Sequence, residues 1–122
     1  MPNDERETSV LLLQDDSPTM ETLRHALTRE GIQVDAVAGL DEARATFFGA
    51  GGHGCLVVAP GVRPKLAQQV AASLGAIDPA LGMATFGPEL HDAKLSRSAR
   101  LGGYHPGSRA GQGALLRFLR TL

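Results

Sequence analysis

Two adjacent carboxylates, Asp15 and Asp16, directly follow the apolar run at residues 9–13. Such a run is typical of a buried strand, and parallel α/β sheets bind ligands at the carboxyl ends of their strands. The pair can bind a divalent cation such as Mg²⁺, although Mg²⁺ normally needs further ligands, for example substrate phosphates. We therefore favour a helix-capping acidic pair, and metal binding is the weaker alternative.

Histidine and cysteine stand close together at His53 and Cys55, in a His-Gly-Cys pattern. This pattern suggests a metal or haem ligand pair, but no further ligand stands at a recognised spacing. A cysteine in an apolar strand is usually inert packing, so the metal interpretation is disfavoured. His25 and His91 are predicted on solvated helix surfaces.

The groups available for catalysis at the predicted strand ends contain no evident nucleophile–base pair. They are Asp15, Asp16, Thr85 and His105. The glycine-rich stretch at residues 49–54 precedes a strand and lacks the Gly-Lys-Ser/Thr ending of a phosphate-binding loop. The sequence therefore does not predict an enzyme, and a metal-dependent hydrolase is the disfavoured alternative.

Charge is divided unevenly along the 122 residues, although the formal net charge is only −1. Residues 1–42 hold ten acids and three arginines, whereas residues 93–122 hold six bases and no acid. The bases are Lys94, Arg97, Arg100, Arg109, Arg117 and Arg120. Clustered bases can neutralise nucleic-acid phosphates, but these lack interleaved aromatics and a recognition motif. Contact with a protein is therefore favoured over direct contact with nucleic acid.

Composition indicates a single globular domain, with 43% hydrophobic and 20% charged residues. The sequence predicts neither a membrane span of roughly 20 apolar residues nor a signal peptide. The single cysteine, Cys55, cannot form an internal disulfide, which fits a reducing cytoplasm. We expect one cytoplasmic domain over residues 1–122, with residues 1–7 as a disordered tail.

Strand-like and helix-like segments alternate along the chain. Strands are predicted at residues 9–13, 32–37, 55–59 and 81–86, with a very short fifth strand within residues 102–106. The continuous apolar strands indicate burial on both faces, as in a parallel sheet covered by helices.

The predicted helices have recognisable starts and stops. Ser17 and Pro18 suit a helix start and Gly31 a stop. Asp41 is expected to cap a second helix that carries Phe47 and Phe48. A third helix is predicted around residues 66–74, a weak fourth over residues 88–98, and a closing helix around residues 115–119.

Residues 10–20, Val-Leu-Leu-Leu-Gln-Asp-Asp-Ser-Pro-Thr-Met, followed by Leu23, Ala26 and Leu27, resemble the start of a bacterial response regulator receiver domain. With the βα order, the resemblance covers residues 8–122. It implies a three-layer, flavodoxin-like α/β fold with a five-stranded parallel sheet and helices on both faces.

In that family the acidic pair and a third aspartate, at the end of the third strand, hold Mg²⁺, and the third aspartate accepts a phosphoryl group. Here Ala59 or Pro60 occupies the acceptor position, and no acid occurs between residues 43 and 77. Neither residue supplies the carboxylate nucleophile that this transfer needs. The resemblance therefore implies an atypical pseudo-receiver without a phospho-acceptor, in which Asp15 and Asp16 are a vestigial metal pair.

Three further positions are compared with the family's switch residues. Thr85 matches the hydroxyl residue at the end of the fourth strand, and His105, before Pro106, replaces a lysine. Tyr104 is a candidate for the switch aromatic, in a segment about two residues shorter than usual.

The resemblance implies bacterial signal transduction or transcriptional regulation through protein–protein contact, independent of phosphorylation. The family's contact face is its fourth helix, fifth strand and fifth helix, so the expected contact residues are Lys94, Arg97, Arg100, Tyr104 and Arg109. The partner is expected to be an acidic protein surface, a second copy, or an output domain of a longer chain. No cofactor is expected. Two alternatives remain open, in which the chain is either a nucleic-acid-binding module or a receiver that retains weak binding of a metal or a small ligand.

Overall fold

One parallel sheet organises the computed structural model, which describes residues 9–14, 18–90 and 97–122. Its strand order is β2-β1-β3-β4-β5, and every neighbouring pair is parallel. The strands are β1 (Ser9–Leu13), β2 (Gln33–Val37), β3 (Cys55–Val58), β4 (Gly82–Thr85) and β5 (Arg97–Arg100). This is the order of flavodoxin-like doubly wound sheets, so the predicted fold class is confirmed.

Helices lie against the sheet in two pairs. They are α1 (Pro18–Arg29), α2 (Leu40–Gly49), α3 (Pro64–Ile77) and α4 (Arg109–Leu119). α1 contacts α4, and α2 contacts α3, which gives the three layers expected of this fold. Across residues 9–14, 18–90 and 97–122, none of the helices has the length and apolarity needed to cross a membrane.

The core lies along the three inner strands. Every residue of β3 and β4 is buried, as are residues 10–13 of β1. Because successive side chains of a strand point to opposite faces, burial of all of them requires cover on both faces. This explains why β1 and β3 are continuous apolar runs and could be located from the sequence.

α1 begins at the predicted residue, and the predicted glycine ends it. The helix begins at Pro18, and Gly31 has a φ of +83°, a conformation that L side chains rarely adopt. The Gly31 N–H donates to the Thr28 carbonyl at 3.0 Å and the Ile32 N–H to the Leu27 carbonyl at 3.1 Å. This pair of bonds is the Schellman ending, which satisfies carbonyls that the helix leaves free. The predicted stop at Gly31 is confirmed.

The predicted cap of α2 is wrong. The capping position is Gly39, which has no side-chain bond to the helix, and Asp41 lies inside the first turn. Glu42 instead reaches back to accept a hydrogen bond from the Ala38 N–H at 2.8 Å. Both acids still lie at the positive end of the helix dipole. Of the two phenylalanines, Phe47 is buried and Phe48 is 57% exposed.

The prediction for residues 88–106 is also wrong in two respects. Residues 97–100 form β5 instead of ending a helix, and residues 88–90 are not helical. Residues 102–106 form turns instead of the fifth strand. β5 reads Arg-Ser-Ala-Arg and is largely exposed, because an edge strand is held by its backbone bonds to one neighbour and needs no apolar pattern.

Several predictions concern residues outside the described part of the chain. These are the tail at residues 1–7, the acidic pair Asp15 and Asp16, the cap Ser17, the surface histidine His91 and the contact residue Lys94.

Candidate functional site

The end of β3 is the position that the resemblance assigns to a phospho-acceptor. Ala59 directly follows β3, is fully buried, and donates its backbone N–H to the Leu13 carbonyl at the end of β1, at 2.9 Å. Pro60 follows and is exposed. The strand order therefore brings this position next to the end of β1, but the side chain there is a methyl group.

The loop after β4 is packed tightly against the same position. A Cβ atom on Gly87 would lie 2.8 Å from both Cα and O of Pro60, and 2.9 Å from the Ala59 carbonyl oxygen. Real Cβ atoms essentially never approach backbone atoms so closely. The loops after β3 and β4 thus meet backbone to backbone, and only glycine fits at position 87 without a shift.

The Thr85 hydroxyl is engaged within its own loop. Thr85 is the last residue of β4 and is 3% exposed. Its Oγ1 donates to the Pro88 carbonyl at 2.8 Å and accepts from the Gly87 N–H at 3.1 Å. The hydroxyl that the resemblance assigns to switching therefore stabilises the turn at residues 85–88, which sets Gly87 against Pro60.

His105 lies in the turn that precedes α4, not at the end of β5. Because β5 ends at Arg100, the residue after the strand is Leu101, and His105 lies five residues beyond the strand end, so its match to the family's lysine stays a prediction. The exposed imidazole accepts from the Gly107 N–H through Nδ1 at 3.1 Å. The His105 carbonyl accepts from the Ser108 hydroxyl at 2.7 Å, and that hydroxyl accepts from the Gly111 N–H at 3.0 Å. These bonds build the capped start of α4.

Tyr104 lies in the turn between β5 and α4 and is 40% exposed. Its backbone N–H donates to the Leu101 carbonyl at 3.0 Å, which closes the turn. The side chain therefore lies on the surface near the end of β5.

The basic C-terminal segment, residues 97–122, contains five arginines and no acid. Arg97 and Arg100 lie on the exposed edge strand β5, and Arg109 is exposed at the start of α4. Arg100 Nη1 lies 2.6 Å from Glu89 Oε1, and the Arg97 guanidinium donates to the Thr121 carbonyl just after α4. Four of the five predicted contact residues are therefore described, on β5, on α4 and in the turn that joins them.

At the opposite end of the sheet, the structure reveals a pair that the sequence did not predict. His53 Nε2 lies 2.8 Å from Asp35 Oδ2, and the imidazole stacks on the Phe47 ring with centroids 5.7 Å apart. The His53 side chain is 0% exposed and that of Asp35 is 34% exposed. His53 Nδ1 is buried without a hydrogen-bond partner. The pair joins the glycine-rich turn before β3 to the edge strand β2.

Cys55 is an inert buried thiol. Its Sγ lies 3.5 Å from the Leu56 carbonyl, and burial raises the pKa of the thiol to about 12. Because the thiolate is the metal-binding and nucleophilic form, this environment disfavours both kinds of chemistry. Within the described residues no group of three or more His, Cys, Asp or Glu side chains could hold a metal ion.

Comparison with known proteins does not assign the chain to a family. No protein-family model matches the chain, and a search of curated proteins likewise gives no match. The function is therefore argued from the fold and the site geometry.

Proposed function

We propose that the chain is a receiver-like domain that acts without phosphorylation, through contact with another protein in bacterial signal transduction or transcriptional regulation. The observation that supports this most directly is the end of β3, where the resemblance puts the acceptor and this chain has the buried Ala59 followed by Pro60. The flavodoxin-like α/β fold is the one that the resemblance implies, and the phosphoryl chemistry of that family needs a carboxylate at this position.

Two further contacts support a site without phosphoryl chemistry. Gly87 packs directly against the backbone of Ala59 and Pro60, and the Thr85 hydroxyl already makes two bonds inside its own turn. A phosphoryl oxygen that accepted a hydrogen bond from the Thr85 hydroxyl would have to displace the Pro88 carbonyl. The cytoplasmic location remains part of the proposal, and weak Mg²⁺ binding at Asp15 and Asp16 remains its alternative.

The contact surface that we propose is the β5 edge together with the start of α4, since the described residues between β4 and β5 form no helix. It carries Arg97, Arg100 and Arg109 beside the exposed Tyr104. A partner with an acidic surface fits this charge, and charges of this kind mainly raise the association rate and give the contact a salt dependence.

The deciding experiment is incubation with acetyl phosphate and Mg²⁺, followed by intact-mass analysis, with a receiver that retains its acceptor aspartate as the positive control. We expect no mass gain on this chain under conditions that label the control. Incorporation of one phosphoryl group at an aspartate would overturn the proposal.

Direct nucleic-acid binding is the second candidate, and it is favoured only by the five arginines without an acid in residues 97–122. Counterion release makes such binding fall steeply as salt rises. Retention on nucleic acid at low salt, with a steep loss toward physiological salt, would support this candidate over protein contact. Absence of retention at low salt would exclude it.

A further inference from the structure

β5 lies at the edge of the sheet that the described residues form. Among the described residues it pairs only with β4, in a parallel ladder that aligns Thr85 with Arg100. The Leu101 N–H donates to the Thr85 carbonyl at 2.7 Å, so Leu101 directs its backbone groups toward β4. Because alternate residues of a strand address opposite neighbours, Ser98 and Arg100 direct their backbone N–H and C=O groups outward. An edge of this kind is a template for one more strand.

A groove lies beside this edge. It has a volume of about 320 Å³, with buried Met83 and Thr85 at its base. Its rim carries Leu90, half-buried, and the charged pair Glu89 and Arg100. In strand addition, backbone bonds supply affinity and pockets beside the edge select side chains. The groove is therefore placed to receive one side chain of an added strand.

Arginine side chains lie on both faces of the sheet at the β5 edge. Arg97 and Arg100 are three residues apart, so their side chains leave β5 on opposite faces. In the ion pair of Arg100 with Glu89, the Arg100 side chain is 74% exposed and the Glu89 side chain is 52% exposed. Exposed pairs of this kind contribute about 0–1 kcal/mol to stability. A carboxylate of a partner can replace Glu89 at little cost. Residues 97–122 have no acid that would repel such a partner.

We propose that the β5 edge binds an extended acidic segment of a partner protein by strand addition. The segment carries two acidic side chains three positions apart, which meet Arg97 and Arg100 on the two faces of the sheet. This inference rests on the proposed contact function and specifies its partner. It explains why the edge carries arginines on both faces and a groove on one.

A synthetic strand tests the proposal on the whole chain. The probe is a fluorescein-labelled hexapeptide of Thr and Val with Glu at its second and fifth positions, and binding is followed by fluorescence anisotropy. Two control peptides separate the sources of affinity. One has Lys in place of Glu, and the other keeps both Glu residues but carries N-methyl groups that block every second backbone N–H. We expect both controls to bind at least about tenfold more weakly.

Matched variants locate the contact. Arg97→Glu and Arg100→Glu are each expected to weaken binding by about tenfold or more, whereas Arg117→Glu makes the same charge change on an exposed residue of α4 and is expected to leave binding within about twofold. Ser98→Pro removes one outward N–H without changing a side-chain charge, and edge strands tolerate proline. It is expected to weaken binding while urea unfolding remains cooperative.

Several results would overturn the proposal. Equal binding of the N-methylated peptide, or an equal loss in Arg117→Glu, would show attraction to general positive charge. No binding at about 1 mM peptide would mean that the arginines only protect the edge from unwanted pairing. A concentration-dependent dimer that is lost on deletion of residues 1–8 would assign the edge to a second copy, whose Asp4 and Glu7 have the required spacing. Each of these results leaves the acetyl phosphate result unchanged, so the two proposals fail separately.

Discussion

The imidazole of the fully buried His53 bonds through Nε2 to the carboxylate of Asp35, with 2.8 Å between Nε2 and Oδ2. Asp35 lies on the edge strand β2, and His53 lies in the turn that leads into the central strand β3. Burial of a polar group without a hydrogen-bond partner is costly. The bond to Asp35 offsets this cost for Nε2, one of the two nitrogens of the imidazole. The pair therefore stabilises the turn before β3 on the β2 side of the sheet.

Removal of Asp35 should destabilise the fold. In Asp35→Ala both imidazole nitrogens of His53 lack a partner, and we expect a loss of about 1–3 kcal/mol in the free energy of unfolding. Urea denaturation followed by far-ultraviolet circular dichroism measures it. Asp35→Asn keeps a hydrogen-bond acceptor and should lose less.

A double-mutant cycle with His53→Leu checks that the effect comes from the pair. Residues joined by a buried bond couple by about 0.5–3 kcal/mol, so the double variant should be more stable than the sum of the single losses implies. Additive losses would show that Asp35 acts on the fold by another route.

The close contact of the β3 and β4 loops predicts an effect at Gly87. Gly87→Ala places a Cβ atom 2.8 Å from the Pro60 backbone, and backbone cannot move aside as a flexible side chain can. We expect a loss of about 1–3 kcal/mol in the free energy of unfolding. Gly103→Ala is the matched control, because no heavy atom lies within 4 Å of its Cβ position and its φ is not in the left-handed region. If the two variants lose equal stability, the loops are not packed as described.

Burial of Cys55 predicts that its thiol reacts slowly in the folded chain. Cys55 is 0% exposed, so a reagent cannot reach its thiol in the folded chain. The pKa of the thiol is raised to about 12, so little of it is in the reactive thiolate form. A disulfide reagent such as Ellman's should label the native chain only when the fold opens, and therefore far more slowly than it labels the chain in denaturant. Rapid labelling of native protein in buffer would contradict the buried position.

The same thiol predicts a loss of stability in alkali. The pKa of Cys55 is raised by desolvation from an ordinary value of 9.0 to about 12 in the folded chain. Between these pH values the unfolded chain has released the proton and the folded chain has not, so stability falls as pH rises, by up to about 1.4 kcal/mol per pH unit. Below about pH 9 this contribution is fully present. Cys55→Ala should show a shallower alkaline loss than the parent chain, as measured by urea unfolding between about pH 8 and 10.5.

The elements that could be predicted from the sequence are those set by burial or by a special backbone conformation. Strands β1 and β3 are continuous apolar runs because both of their faces are covered, and Gly31 ends α1 because its backbone has a φ of +83°. β5 could not be found in this way, since its four residues are held by bonds to β4 and carry no apolar pattern. The His53–Asp35 pair was missed for a related reason. Its members are 18 residues apart and meet only once the β2 edge and the turn before β3 are placed together.

Substitution of two glycines in α4 by alanine is predicted to change stability in opposite directions. At Gly111 an added Cβ would overlap the His105 carbonyl oxygen, which accepts the Ser108 bonds that cap the helix. At Gly113 the nearest atom is the flexible Arg117 Nη1, at 3.6 Å. Gly113→Ala should stabilise the chain by about 0.5–1 kcal/mol, because alanine loses less backbone entropy in a helix than glycine. Gly111→Ala should destabilise it by about 1–3 kcal/mol, because the cap must move. Thermal unfolding of both variants measures the contrast, and stabilisation by both would show that His105 and Ser108 do not fix the start of α4.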